Sequence, residues 1–288
     1  MTDAREPVRS QPGADEAHIA RYYDSNTQRF LTLGGSGEVA AIHRAIWAPG
    51  VQSRAEAFDF LNQLVANALR PALPADVAQA HLLDLGCGVG GTATAVAQAL
   101  GVQVTGVTLS QAQVALARQR AERLGLQTQV HFALGSFAAM PALPPSQGAW
   151  AIESFVHADD AAGFFHMAAQ QLTPGARLVL CDDVLSPPHD AEARRWVARF
   201  TRGWHLNSLL SEQEICALAA NAGFRLVQMQ DLSAHLRGFH PFVLWAMRWL
   251  TRVPLPWAYW DNLAGGTALQ WCVKKGWTRY LALVWERE

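Results

Sequence analysis

Apolar positions recur in two rhythms along this chain, and the change between them marks out the fold. Ile19, Tyr22, Tyr23 and Phe30 fall at helical spacing and predict a helix that breaks at Leu33-Gly-Gly-Ser-Gly37; a second helix is predicted from Glu38 to Trp47. Ser53-Arg-Ala-Glu56 reads as a capping box, and Phe58, Leu61, Leu64, Val65 and Leu69 continue a third helix from it. Beyond Pro71 and Pro74 the rhythm alternates: short apolar runs at His81–Leu85, Val102–Val107, Gln129–Leu134, Ala149–Ile152 and Arg177–Cys181 read as strands. The turn Thr173-Pro-Gly-Ala176 launches the last of these. Helices are expected between them at Thr92–Leu100, Ser110–Leu124 and Ala161–Leu172. Strands separated by helices imply a mostly parallel sheet covered on both faces.

The second half departs from this alternation. A helix is predicted at Ala191–Gly203, another from the capping box Ser211-Glu-Gln-Glu214 to about Asn221, and a sixth strand at Phe224–Met229 after Gly223. Some fifty residues then precede a last strand at Arg279–Trp285. The expected fold is α/β: a Rossmann-like, seven-stranded, mostly parallel sheet with helices on both faces, an N-terminal helical cap and a C-terminal aromatic-rich helical insertion. The boundaries that follow are a disordered tail at 1–14, a cap at 15–75, a ligand-binding core at 76–235, a helical lid at 236–277 and a final core strand at 278–288.

Composition narrows the class. Of 288 residues half are hydrophobic and 16% charged, which excludes global disorder, and a net charge of −1 leaves no electrostatic footprint for nucleic acid. The four cysteines are widely spaced and read as buried thiols of a reducing compartment. No apolar leader is seen at the N-terminus, and Phe239–Tyr259 is interrupted by Arg248, Arg252 and prolines, so stable membrane insertion is not expected and a cytoplasmic location is. Nine of the eleven tryptophans lie at or after Trp196, which reads either as an aromatic lid over a pocket or as packing of a helical subdomain.

The chemistry concentrates where the first strand ends. His81-Leu-Leu-Asp-Leu-Gly-Cys-Gly-Val-Gly-Gly-Thr92 is strand, glycine turn and helix start, a layout that presents backbone N–H groups and a helix N-terminus to a polar ligand. The spacing Gly86-x-Gly88-x-x-Gly91 also fits a dinucleotide fingerprint. Asp84 decides between the two: a carboxylate beside the loop repels a pyrophosphate and suits a ligand carrying an amino group and a sulfonium. A dinucleotide enzyme needs an acid after the second strand for the ribose hydroxyls, and Thr108-Leu109-Ser110 supplies none. Thr108 and Gln113 can hydrogen-bond ribose hydroxyls, Leu109 can lie against adenine, and Ser136 and Phe137 follow the third strand. Glu153 to His157 follow the fourth, and Asp182-Asp183 the fifth.

Together these segments resemble class I S-adenosylmethionine-dependent methyltransferases, within that class the sterol and tocopherol C-methyltransferases, and more distantly the cyclopropane fatty acid synthases. The resemblance covers about residues 19 to 235 and rests on Tyr22-Tyr-Asp24 with Thr27 and Phe30, Leu83–Gly91, Val104–Ser110 with Gln113, and Ala151–Ala158. It implies S-adenosylmethionine as cofactor, S-adenosylhomocysteine as product, and a contact set of Tyr23, Asp84, Gly86, Gly88, Gly90, Thr108, Leu109, Gln113, Ser136, Phe137 and Glu153. Two positions depart from the pattern. Ser136 replaces the acid usual after the third strand, and Val156 stands where ring-forming cyclopropane synthases carry a glutamate before the histidine, which favours simple methyl transfer.

The expected activity is methylation of a small hydrophobic metabolite, with carbon methylation of an isoprenoid-like or aromatic acceptor first and oxygen or nitrogen methylation beside it. An NAD-dependent oxidoreductase and a non-catalytic binding module are the alternatives. His157 and Glu153 are the catalytic candidates, ahead of Asp183 and His43, the latter also readable as an interface histidine of the cap. Arg194, Arg195, Arg199 and Arg202 read as a solvated helix face or as a grip on an acidic group of the acceptor. Phe242–Trp249 reads as an internal lid or as an amphipathic surface helix. No metal is called for, and a homodimer is left open.

Overall fold

In the computed structural model, residues 43–186, 190–251 and 258–288 are described. The strands are β1 (His81–Leu85), β2 (Gln103–Thr108), β3 (Val130–Leu134), β4 (Ser146–Ile152), β5 (Leu172–Leu185), β6 (Phe224–Asp231) and β7 (Thr278–Arg287). They form one sheet in the order β3-β2-β1-β4-β5-β7-β6. The first five run parallel, and β7 is inserted antiparallel between β5 and β6. The chain winds outward from β1 through β2 to β3 and then returns to place β4 on the other side of β1. That reversal opens a crevice beyond the carboxyl ends of β1 and β4, where ligands of such sheets bind.

Successive strand residues point to opposite faces, and this assigns the two cores. Leu82, Val104, Trp150 and Val179 face α1 (Arg54–Leu69), α2 (Gly91–Leu100) and α3 (Gln111–Arg123), meeting Leu61, Val65, Val96 and Val114. Leu83, Ala149, Ala151 and Leu178 face α4 (Ala161–Gln171) and α6 (Glu212–Asn221), meeting Phe164, Phe165 and Ile215. A third cluster joins α5 (Ala191–Trp204), α7 (Pro241–Leu250) and α8 (Ala258–Lys275) through Trp196, Phe200, Leu244, Leu269 and Trp271, and it reaches Val156 and Leu206 at the crevice. Helices α5 and α8 cross closely enough that a Cβ on Gly203 would lie 2.6 Å from the Cα of Gly265.

Several expectations need correction. The helix predicted over Glu38–Trp47 is not helical from His43 onward; this stretch is extended, and Ile46 makes an antiparallel bridge to Leu236. Residues before His43, with Tyr22, Tyr23 and Phe30, lie outside the described residues. At α1 the Ser53 side chain accepts from the Glu56 N–H (3.1 Å), but the Glu56 carboxylate caps the N–H of Gln52 (2.9 Å) instead of that of Ser53. The second predicted capping box, Ser211 with Glu214, is reciprocal. Strand β5 is longer than the apolar run Arg177–Cys181 and includes Asp182 and Asp183, so these acids stand on the strand and not after it. Its early part bends at Gly175 (φ +78°), the glycine of the expected turn.

The tryptophans divide between the two readings. Trp196 and Trp271 are buried in the α5–α8 cluster, while Trp245 and Trp249 are about half exposed, at 53% and 51%. Among the described residues no helix is long and apolar enough to cross a membrane. All four cysteines are free thiols.

Candidate active site

The crevice is a cavity of about 880 Å³ at the carboxyl ends of β1, β2, β4 and β5. Asp84, Gly86, Gly88, Thr108, Leu109, Gln113, Ser136, Phe137, Glu153 and His157 all line it. Gly90 does not. It is the N-cap of α2 at φ +78°, and a Cβ there would strike the Phe132 ring at 2.5 Å, so its smallness serves packing beneath the loop. Tyr23 lies outside the described residues. Arg194, Arg195, Arg199 and Arg202 are not among the lining residues; three are exposed, and the half-buried Arg199 donates to the Thr251 carbonyl at 2.8 Å. Three of the four thus sit on the exposed face of α5, while Arg199 ties that helix to the end of α7.

The glycine loop is built by sterics. Gly86 adopts φ +88°, a region open to glycine, and a Cβ there would approach Ser154 Cβ to 2.4 Å. The N–H groups of Gly86 and Cys87 both donate to the Val107 carbonyl (2.9 and 3.0 Å), which ties the turn to the end of β2. Gly91 and Thr92, the first residues of α2, complete the wall.

Asp84 is 3% exposed, and its Oδ2 is buried without a hydrogen-bond partner among the described residues. Burial pushes its pKa up to about 8, with the Trp150 indole and the Ala93 amide pulling the other way. A buried carboxyl oxygen without a partner on a cavity wall is costly until a donor or a cation meets it. The site therefore fits a ligand with an ammonium, to which the carboxyl gives up its proton. At the end of β2, the Thr108 hydroxyl donates to Gln113 Oε1 at 2.6 Å, and Ser110 caps α3. The Ser136 oxygen accepts from the N–H groups of Ala138 and Ala139, 3.1 Å each, which leaves its hydroxyl hydrogen to donate. Phe137 packs edge-on to Phe164, ring centroids 5.0 Å apart.

The opposite wall carries charge held in a network that motif reading missed. Arg44 donates through Nε to Glu153 Oε1 (3.1 Å) and through both terminal nitrogens to Asp183 (3.0 and 2.7 Å). Its guanidinium lies 4.1 Å from the centre of the Tyr280 ring, and the Tyr280 hydroxyl donates to Glu153 Oε1 at 2.9 Å. Glu153 itself sits at φ +49°, an uncommon position for a residue with a side chain. Burial alone would raise its pKa, but Arg44, His43 and the hydrogen bonds hold it below the usual carboxylate range. An acid so stabilised as an anion is a poor proton acceptor, and its geometry is that of a brace. Asp182, buried beside Asp183 and Glu153, is pushed well up. Its two oxygens accept from the N–H groups of Val156 (3.2 Å) and Asp183 (2.9 Å).

His157 closes a one-turn helix after β4. Its Nδ1 lies 3.1 Å from the carbonyl oxygen of His205, the αL cap of α5 at φ +54°. A carbonyl only accepts, so this partner places the hydrogen on Nδ1 and makes Nε2 the basic nitrogen. Burial lowers the ring's pKa below 6.5, so the imidazole is neutral at neutral pH. Trp204, Leu206 and Asn262 line the same end of the cavity. His43 is buried against Phe58 and Arg44, its pKa likewise lowered by burial.

The family model described as Mycolic acid cyclopropane synthetase matches residues 77–253. An O-methyltransferase, cnsE, of Penicillium expansum is 34% identical over 76% of this chain and 76% of its own. The 24-methylenesterol C-methyltransferase 2 of rice (Oryza sativa subsp. japonica) is 32% identical over 65% of this chain and 52% of its own. Among solved structures, geranyl diphosphate methyltransferase in complex with GPP and sinefungin superposes with a TM-score of 0.75 at 21% identity, covering 95% of this chain and all of that one. The seven-stranded order, the glycine loop and these matches lead to one assignment: the chain belongs to the Mycolic acid cyclopropane synthetase family and is an S-adenosylmethionine-dependent methyltransferase of small-molecule natural products.

Proposed function

We propose that the enzyme methylates a hydroxyl group on a small, largely apolar natural product, with His157 taking the hydroxyl proton. The observation that carries this is the placement of His157: a neutral imidazole, its tautomer fixed by the His205 carbonyl, on the wall of the cavity beside Trp204 and Leu206. S-adenosylmethionine supplies, when bound, a methyl group on a sulfonium. Asp84 is suited to its ammonium, Thr108 and Gln113 to its ribose, and Leu109, Ser136 and Phe137 to its adenine. Gly86 and Gly88 keep the loop open to it. The chain's remaining task is alignment of the acceptor and exclusion of water, and alignment of this kind is worth ~7–11 kcal/mol.

The cavity lining tells against a diphosphate bound without a cation. It includes Asp84, Glu153, Asp159, Asp160, Asp182 and Asp183, and among the described residues no lysine or arginine. The acceptor of the geranyl diphosphate neighbour is therefore a poor guide here, and oxygen methylation, the activity named for the Penicillium relative, is preferred to carbon methylation of an isoprenoid diphosphate. A second reading is carbon methylation of an uncharged alkene. It is favoured by the anionic Glu153–Asp183 wall, which would stabilise a cation formed on the acceptor.

The test is turnover of a panel of apolar alcohols and phenols with methyl-labelled cofactor, comparing wild type, His157→Ala and His157→Gln. The expected result is an ether product and a fall in kcat of about 10²–10⁴ in both variants, with cofactor affinity unchanged. In the wild type kcat/KM should fall as pH drops through the histidine's pKa, and the variants should lose that limb. Variant rates within threefold of wild type would remove His157 from the chemistry. A product methylated at carbon would select the second reading.

A further inference from the structure

Behind the Arg44 network lies a second cavity of about 650 Å³. It is bounded by the extended stretch from His43 to Trp47, the start of α1, the segment Leu236–Phe239, and α7 and α8. Its charge is the reverse of the first cavity's. Arg44, Arg54, Arg237 and Lys274 line it, and among the described residues no aspartate or glutamate does. Its walls are apolar: Trp47, Phe58, Leu236, Phe239, Leu244 and Val273. His43 lines both cavities, so the two share a wall one side chain thick.

We propose that this second cavity binds an organic anion with an apolar tail, its carboxylate or phosphate held at the rim by Arg237 and Lys274 and its tail against Trp47, Phe58 and Leu244. The other two arginines are less available for this. Arg44 is committed to Glu153 and Asp183, and Arg54 stands at the first turn of α1, over the Phe58 ring. Arg237 and Lys274 each contact an aromatic ring. The Arg237 guanidinium lies 3.4 Å from the centre of the Trp47 ring, and the Lys274 ammonium 5.7 Å from that of Trp271. Neither has a carboxylate partner among the described residues. A guanidinium seated over an indole is held in place by the ring, and a guanidinium can grip a carboxylate or phosphate in two bonds. The exposed Phe239 extends the apolar surface at the rim. Free acids and the head groups of anionic lipids offer the same chemistry, and the test separates them.

The experiment measures binding to the full chain by intrinsic tryptophan fluorescence and calorimetry, with no turnover required. The probes are decanoate, decyl phosphate and decanol, and separately vesicles of phosphatidylcholine with and without phosphatidylglycerol. The expected result is saturable binding of decanoate or decyl phosphate at least tenfold tighter than decanol, weakened by added salt. Arg237→Gln/Lys274→Gln should lower that affinity at least tenfold while lowering the melting temperature by no more than a few degrees. Vesicle binding that requires phosphatidylglycerol and is lost in the double variant would identify the lipid head group as the source. Binding of the soluble probes alone would identify a free acid. Equal affinity for decanol and decanoate, indifference to the double variant, or no binding of any probe would overturn the proposal. Since no methylation is measured, this outcome is independent of the one that tests His157.

Discussion

Replacing Arg44 by leucine tests the charge arrangement on which the candidate active site is built. The guanidinium is 17% exposed and faces the Glu153 and Asp183 side chains, which are 16% and 5% exposed. Removing one partner of such a buried cluster costs about 3–5 kcal/mol, because the remaining charges are left uncompensated. The structure places this case at the lower end of that range for Glu153 and the upper end for Asp183. Glu153 would keep the backbone N–H of residue 44 (2.9 Å) and the Tyr280 hydroxyl (2.9 Å). Asp183 would lose both of its guanidinium bonds, next to an already crowded Asp182. About 3–5 kcal/mol is therefore the expected cost, and at roughly 2–4 °C per kcal/mol for a chain of this size the melting temperature should fall by roughly 6–20 °C.

The pH dependence fixes the sign. In the wild type Glu153 has a folded-state pKa below its ordinary value, so its contribution is complete above that value and is lost only as pH falls through the lower folded one. Between pH 5 and 8 the wild type should therefore show little change from this residue. In Arg44→Leu the same carboxyl has no cation, its folded pKa rises, and the deficit should be largest at pH 8 and shrink as pH falls to 5 and the carboxyls take up protons. The assay is thermal melting followed by near-UV circular dichroism at pH 5, 6.5 and 8, with Arg44→Lys alongside. Lysine restores the charge but cannot bridge two carboxylates, so it should fall between. A deficit below about 1 kcal/mol, or one of equal size at all three pH values, would refute the reasoning and return Glu153 to the list of available bases.

Asp84→Asn should weaken S-adenosylmethionine binding at least 100-fold. The wild type, with Asp84 near pKa 8 when free, should release close to one proton on binding at pH 7, seen by calorimetry in buffers of different ionisation enthalpy; no proton release would contradict the pairing with an ammonium. Gly86→Ala should cost about 2–5 kcal/mol, overpacking against Ser154 added to the strain of φ +88°. Gly125→Ala, at φ +69° with nothing within 4 Å of the added methyl, should cost only the strain, and equal melting temperatures for the two would count against the steric account of the loop. Gly203→Ala should lower the melting temperature by a few degrees by forcing α5 from α8, where the new methyl would meet the Asp261 carbonyl at 2.6 Å. Cofactor affinity, measured by calorimetry, should be unaffected in that variant.

What the sequence disclosed and what it withheld follow from the range of the forces involved. The strands were legible because each is a short apolar run bounded by turn residues. Once five of them read as parallel, the geometry of such sheets sent Asp84, Thr108, Ser136 and His157 to one crevice without further information. Gly90 stands off the cavity lining, and glycine spacing does not disclose this, because it shows that the backbone must bend or be approached closely but not from which side; here the approach is by Phe132. The predicted helix across Glu38–Trp47 failed at its described end because apolar spacing there was compatible with a helix, whereas Ile46 is held by a bridge to Leu236, 190 residues away. Arg44 was invisible for the same reason: its partners are 109 and 139 residues distant, and an arginine in an irregular stretch carries no local mark of burial. The tryptophans make the same point from the other direction, since Trp271 is buried and Trp245 exposed although composition treats them alike. Local pattern thus sets the scaffold and the residues the scaffold must present. The pairing of Glu153 with Arg44, which decides whether that acid is a base or a brace, arises only when distant segments are brought together.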